Sequence, residues 1–230
     1  MIPRTKEDLA AVIDQTHLGL GASRSEIETF VAKAVEYGFG CVCVLPNAVS
    51  TARKIASGTR TKVATVISFP LGMDVPYVKR AEARDALERG ADEIDMVIDV
   101  AAARMGDKER LLEEVAAVRE IIPEGNILKT IIEVPLLTPE QAVGAAVAAE
   151  KGGAHMIKTS TGFKGLKIRG TSPEDVQLLR SVLKPRTGIK ASGGISSWNQ
   201  AAAILEAGAA RIGTSSGIAI VDGFLASAQP

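Results

Sequence analysis

Two lysines lie in short apolar runs, Met156-Ile157-Lys158-Thr159-Ser160-Thr161-Gly162 and Gly188-Ile189-Lys190-Ala191-Ser192-Gly193-Gly194, each leading at once into small polar residues and glycine. Burial disfavours an ammonium, and a second ammonium beside it disfavours the charged form again, which makes an amine nucleophilic at neutral pH. Such an amine attacks carbonyl carbon to form an imine. A lysine amine, ordinarily near pKa 10.4, must lose about 4 kcal/mol of proton affinity to be largely neutral near pH 7. A like charge at about 4 Å, in a medium of effective dielectric about 20, supplies on the order of 4 kcal/mol. One neighbouring lysine therefore suffices, provided no carboxylate neutralises the pair. Asp95, set between apolar neighbours in Asp92-Glu93-Ile94-Asp95-Met96-Val97-Ile98-Asp99, is a candidate partner, since a buried carboxylate requires one. The competing readings are lysines whose ammonium groups reach back to water and an Asp95 held in a purely structural ion pair.

The elements that must position these groups alternate. Strand-like runs cover Val12 to Thr16, Gly40 to Val44, Lys62 to Ser68, Glu93 to Asp99, Ile127 to Val134, His155 to Ser160, Gly188 to Ser192 and Arg211 to Ser215. Helical patterns cover Ser25 to Tyr37, Val78 to Arg89, Lys108 to Ile122, Pro139 to Lys151 and Ser196 to Glu206. Ser25 is a candidate N-cap and Gly38 a terminator; Thr138-Pro139-Glu140-Gln141 carries a capping box with proline in the first turn, and Ser172-Pro173-Glu174-Asp175 repeats that signature. The glycine-ended phrases at Glu36-Tyr37-Gly38, Glu88-Arg89-Gly90 and Glu206-Ala207-Gly208 mark repeated helix-to-strand turns. This pattern predicts an α/β fold, a single (β/α)8 TIM barrel over residues 1–230. No dinucleotide fingerprint follows the first strand to favour an open sheet. Chemistry then belongs at the carboxyl ends of the strands, with phosphate near the seventh and eighth loops. There Ser192-Gly193-Gly194 and Gly213-Thr214-Ser215-Ser216-Gly217 offer bare amides and hydroxyls to a small anion.

Composition narrows the partners. The 230 residues are 46% apolar with mean hydropathy +0.16, enough for one large core. Lysine plus arginine and aspartate plus glutamate number 27 each, without basic runs interleaved with aromatics, so no nucleic-acid partner is expected. The stretch from Ala142 to Ala149 is too short to span a membrane, and the first residues lack an apolar signal core, so the expectation is a cytoplasmic protein. Cys41 and Cys43 share one face of a strand and form no disulfide framework; His17 and His155 lie far apart, and no metal-ligand spacing is present.

The Lys158 run, Ile157-Lys158-Thr159-Ser160-Thr161-Gly162-Phe163, resembles the Schiff-base signature of the deoxyribose-phosphate aldolase family. The likeness runs nearly end to end, through Ile13-Asp14-Gln15-Thr16, Val42-Cys43-Val44-Leu45-Pro46, Val66-Ile67-Ser68-Phe69-Pro70-Leu71-Gly72, Ala91-Asp92-Glu93-Ile94-Asp95-Met96-Val97-Ile98, Leu128-Lys129-Thr130-Ile131-Ile132-Glu133, Ile189-Lys190-Ala191-Ser192-Gly193-Gly194 and Arg211-Ile212-Gly213-Thr214-Ser215. The resemblance implies a cofactor-free class I aldolase that reversibly cleaves 2-deoxyribose 5-phosphate into glyceraldehyde 3-phosphate and acetaldehyde. It makes Lys158 the imine-forming residue, Lys190 the lysine that perturbs it, and Asp95 the acidic member of a proton relay. Gly162, Gly193, Gly194, Gly213, Ser215 and Ser216 match the phosphate end. Asp14, Lys129, Cys43 and Thr159 are expected to support the principal residues, Cys43 as a buried apolar side chain near the pocket. His155, at the start of its strand, is expected to be structural.

Departures cluster in loops. Asp14-Gln15-Thr16-His17-Leu18-Gly19 stands where the family commonly has Asp-His-Thr-Leu-Leu followed by lysine; Ser68 replaces a glycine, and Val134-Pro135 a small, flexible pair. Segment 163–170 is long and basic, and Lys164, Lys167 and Arg169 are candidates for extra phosphate attraction. Acceptor preference is therefore open. A different imine-forming lyase and a non-catalytic sugar-phosphate-binding barrel are the alternatives. Homo-oligomerisation through the outer helices is also left open.

Overall fold

The computed structural model describes residues 2–163, 165 and 169–227. Eight strands, β1 (Ile13–His17), β2 (Cys41–Val44), β3 (Lys62–Ile67), β4 (Glu93–Val97), β5 (Ile127–Ile131), β6 (Met156–Lys158), β7 (Gly188–Ser192) and β8 (Arg211–Thr214), pair in parallel and in chain order. The barrel closes where β8 pairs β1. Around it lie α1 (Lys6–Ala11), α2 (Arg24–Tyr37), α3 (Val49–Ala56), α4 (Pro76–Glu88), α5 (Val100–Met105), α6 (Lys108–Arg119), α7 (Pro139–Lys151), α8 (Pro173–Val182), α9 (Trp198–Glu206) and α10 (Gly217–Ser227). This is the expected (β/α)8 architecture. No helix among the described residues is long and apolar enough to cross a membrane.

Local signals set most boundaries. Thr138 and Ser172 cap α7 and α8 through the expected boxes with Gln141 and Asp175. The start of α2 differs: Ser23, not Ser25, accepts the amide of Glu26, while Glu26 bonds back to the Ser23 amide. A full capping box outcompetes a lone serine two residues later. Likewise Ser197 caps α9, which begins at Trp198 rather than Ser196.

Side-chain alternation divides the strands between two environments. On β2, Val42 and Val44 join the large apolar layer beneath the helices. Cys41 and Cys43 point the other way, packing with Ala64 and Val66. The same alternation turns Glu93 and Asp95 to one face of β4. Register then decides which residues meet inside: Asp95 lies opposite Lys129, Lys158 opposite Lys190, and Lys190 opposite Arg211.

Candidate active site

The inward side chains form one buried ionic cluster. Asp95 Oδ2 lies 2.8 Å from both Lys158 Nζ and Lys190 Nζ, and its Oδ1 lies 2.7 Å from Lys129 Nζ. Lys190 also reaches Asp14 at 2.6 Å, and Lys129 reaches Glu93 at 2.5 Å. Arg211 closes the network on Asp14 at 2.6 Å and Glu93 at 3.0 Å. The expectation of two lysines and one carboxylate is thus too small. Lys129 and Asp14 lie against Asp95 and Lys190, while Glu93 and Arg211 were not expected there.

Charge count determines what this cluster can do. Lys129, Lys158, Lys190 and Arg211 face Asp14, Glu93 and Asp95, an excess of one cation among largely buried groups. Burial pushes the Asp95 carboxyl up, but Lys129, Lys158 and Lys190 overcome it and hold the group well below the usual carboxylate range. Asp14 behaves alike under Lys190, Lys129 and Arg211. Burial pulls the Lys190 ammonium down, yet Asp14 and Asp95 carry it above the ordinary lysine range. Lys190 is therefore a permanent cation. Among the described residues Lys158 touches a single carboxylate oxygen, Asp95 Oδ2. The direct push of one ammonium on another, invoked from sequence, is opposed by the oxygen they share; the net charge of the whole cluster replaces it as the reason an amine could form.

A family model described as DeoC/LacD family aldolase matches residues 9–223. The chain belongs to this family. The deoxyribose-phosphate aldolase of Geobacillus sp. (strain WCH70) is 43% identical over 224 residues, covering 97% of this chain and 99% of that protein. Its counterpart from Thermococcus gammatolerans is 45% identical over 219 residues, covering 94% and 96%. The deoxyribose phosphate aldolase from Aeropyrum pernix, described as having a unique tetrameric structure, matches with a TM-score of 0.89 at 34% identity, covering 97% of this chain and 93% of that one.

In this aldolase the loops after β6 and β7 converge beside the lysines. A Cβ on Gly162 would sit 3.3 Å from Gly193 Cα, and one on Gly193 would sit 2.8 Å from Ser160 Oγ. The Gly193 and Gly194 amides meet no backbone acceptor among the described residues, leaving donors for an anion. Thr159 ties the two strands, its Oγ1 accepting the Ser192 amide at 3.1 Å. Gly213 is placed differently from the phosphate end to which it was assigned: a Cβ there would meet Lys190 Cε at 2.8 Å, so its bareness makes room for the lysine. Beyond it, Ser215 and Ser216 form the turn into α10, with the Ser216 amide bonded to Thr214 Oγ1.

Two residues outside the expected set organise these loops. Gln15 accepts the Gly217 amide at 2.9 Å and donates to the Ser215 carbonyl at 3.3 Å, clamping the turn after β8. Glu133, buried and in the left-handed region at φ 53°, accepts the Thr161 amide. The departure of Gln15 from the family pattern was the available signal for the first; for Glu133, a carboxylate in an apolar run was the signal.

Other residues are accounted for locally. Ser68 also takes a left-handed φ of 50°, as suits a position where the family has glycine, and its Oγ donates to Asp74 at 2.8 Å. Arg169 pairs both carboxylate oxygens of Asp175 at 2.6 and 2.7 Å, which engages the guanidinium expected to attract phosphate. Lys164 and Lys167 lie outside the described residues. His155 Nδ1 accepts the Leu128 amide at 2.9 Å, consistent with a structural role. His17 packs edge-on against Phe30.

Sequence spacing offered no metal cluster, yet folding gathers ligand atoms of Asp14, Cys41 and Glu93 within 4.8 Å of one another. Their chemistry fits a metal poorly. Arg211, Lys129 and Lys190 already hold the two carboxylates, while burial, with Asp14 and Glu93, pushes the Cys41 thiol well up, away from the thiolate a metal takes. Burial first and Asp95 second likewise push up the Cys43 thiol, in keeping with its apolar packing.

Proposed function

We propose that this protein is a 2-deoxy-D-ribose 5-phosphate aldolase that reversibly forms glyceraldehyde 3-phosphate and acetaldehyde through an imine on Lys158. One observation carries the reading: Lys158 and Lys190 share one oxygen of Asp95 inside a cluster with one surplus cation. Imine formation uses the Lys158 amine, which lies beside Lys190 on this oxygen.

In the cleavage direction Lys158 adds to the aldehyde carbon of the open-chain sugar, and loss of water gives the iminium. The bond between C2 and C3 breaks as the C3 hydroxyl loses its proton, releasing glyceraldehyde 3-phosphate. The bonding pair moves into the iminium, leaving an enamine. Protonation at C2 and hydrolysis release acetaldehyde and restore the amine. Asp95 and Lys190, beside the amine, are assigned to shuttle the protons of this exchange through water. Because the iminium is itself the electron sink, the chemistry calls for no metal ion or organic cofactor. The amides of Gly193 and Gly194, with Gly162, Ser215 and Ser216, are assigned to the phosphate, and Gly213, Asp14, Lys129, Cys43 and Thr159 to support of the lysines.

The same reading takes residues 1–230 as one catalytic unit acting in the cytoplasm on small phosphorylated sugars, without nucleic-acid or membrane partners. The tetramer described for the Aeropyrum pernix relative makes self-association of this chain part of the proposal. The changes at Ser68 and Val134-Pro135 follow β3 and β5, where they would alter acceptor preference rather than the imine chemistry.

Acetaldehyde with borohydride tests the assignment. Wild type is expected to gain a reduced two-carbon adduct that peptide mapping places on Lys158, and Lys158→Ala to gain none. An unlabelled Lys158 in wild type would reject the mechanism; trapping of a different donor aldehyde in its place would indicate another lyase.

A further inference from the structure

Glu133 is a buried carboxylate with no ion-pair partner within 4 Å among the described residues, and it occupies a backbone conformation that favours glycine. An outlier of this kind is maintained only where the side chain has work to do. Both of its oxygens lie 3.2 Å from the Thr161 amide, in the turn that carries the hydroxyls of Ser160 and Thr161. Those same hydroxyl oxygens take the next two amides: Ser160 Oγ accepts from Gly162 at 2.9 Å, and Thr161 Oγ1 from Phe163 at 3.2 Å. Glu133 thus holds the Thr161 amide in the turn that follows Lys158, and side chains of the turn itself hold the two amides after it. The turn closes on the Gly193 backbone, beside the Gly193 and Gly194 amides, which meet no acceptor among the described residues.

We propose that Glu133 is a positioning residue for the phosphate end of the substrate, acting by ordering the Ser160–Phe163 turn against the Gly193-Gly194 loop. This rests on the aldolase reading above. The role calls for a carboxyl group with both oxygens turned to the Thr161 amide, whereas an amide in its place presents one acceptor and adds a donor.

The test pairs a phosphate-dependent readout with a phosphate-independent one. In Glu133→Gln, the KM for 2-deoxyribose 5-phosphate is expected to rise about tenfold or more, while borohydride trapping of acetaldehyde on Lys158 stays within about twofold of wild type. Thr161→Ala, which removes one hydroxyl and leaves the carboxylate, is expected to move the same way and serves if the glutamine variant does not fold. An unmoved KM in an active background overturns the role of Glu133, as does a parallel loss of trapping and turnover, which would mark a structural effect on the lysine. Wild type unable to cleave the phosphorylated sugar overturns the aldolase reading itself, and the role of Glu133 with it.

Discussion

Lys158 and Lys190 are register partners on β6 and β7, and both nitrogens lie 2.8 Å from Asp95 Oδ2. Replacing Lys190 with methionine leaves three cations facing three carboxylates, so no surplus charge remains to favour a neutral amine at Lys158. Trapping at pH 7 is expected to drop at least about tenfold. Because Asp14 and Asp95 lose a buried partner, stability should also fall by about 3–5 kcal/mol in urea titration. Undiminished trapping would show that the surplus is not held at Lys158.

The cluster also predicts the shape of the pH–stability curve. Asp14 and Asp95 are held below their unfolded values, so their contribution is complete above about pH 3.9 and is lost as pH falls through the folded values. Lys190 is held above its unfolded value; its contribution is complete below about pH 10.4 and is lost as pH rises through the folded one. Urea midpoints should therefore show these contributions intact between those limits, with an acid limb that Asp14→Asn makes shallower. An unchanged acid limb in that variant would show that the low carboxyl of Asp14 does not drive it.

Sequence made the eight strands legible because each is a short β-rich run ended by turn chemistry, and it made Lys158, Lys190 and Asp95 legible because charge inside such runs is costly. Strand register was not legible. Glu93, Lys129 and Arg211 meet only because barrel closure brings β8 round to β1 and fixes which inward residues lie level, a relation that no local window contains. The end of β5 escaped for a related reason: the apolar run to Val134 reads as one strand, but β5 ends at Ile131 and the left-handed Glu133 turns the chain into a 3-10 turn at Val134–Leu136.

Gly213→Ala isolates the packing of Lys190. Its φ carries no left-handed penalty, so the added methyl acts by contact alone, 2.8 Å from Lys190 Cε and 3.1 Å from Ser192 Cβ. Overpacking of this kind costs about 1–3 kcal/mol, and the flexible lysine is the part that gives way. The expected result is a fall in kcat of about tenfold or more, with the melting temperature lower by about 2–4 °C for each kcal/mol of overpacking. Wild-type kcat would show that Lys190 tolerates the shift.

Gln15→Ala tests the clamp between the first and last strands. The side chain holds the Gly217 amide and the Ser215 carbonyl, two groups at the start of α10 that lose a partner when it is truncated. Loss of such contacts costs about 1–3 kcal/mol, seen as a lower urea midpoint. If the Ser215-Ser216 turn also receives phosphate, KM for the phosphorylated sugar should rise while acetaldehyde trapping on Lys158 holds, because the clamp touches none of the lysines. A variant with reduced stability and an unaltered KM would assign Gln15 to barrel closure and remove Ser215 and Ser216 from the phosphate end.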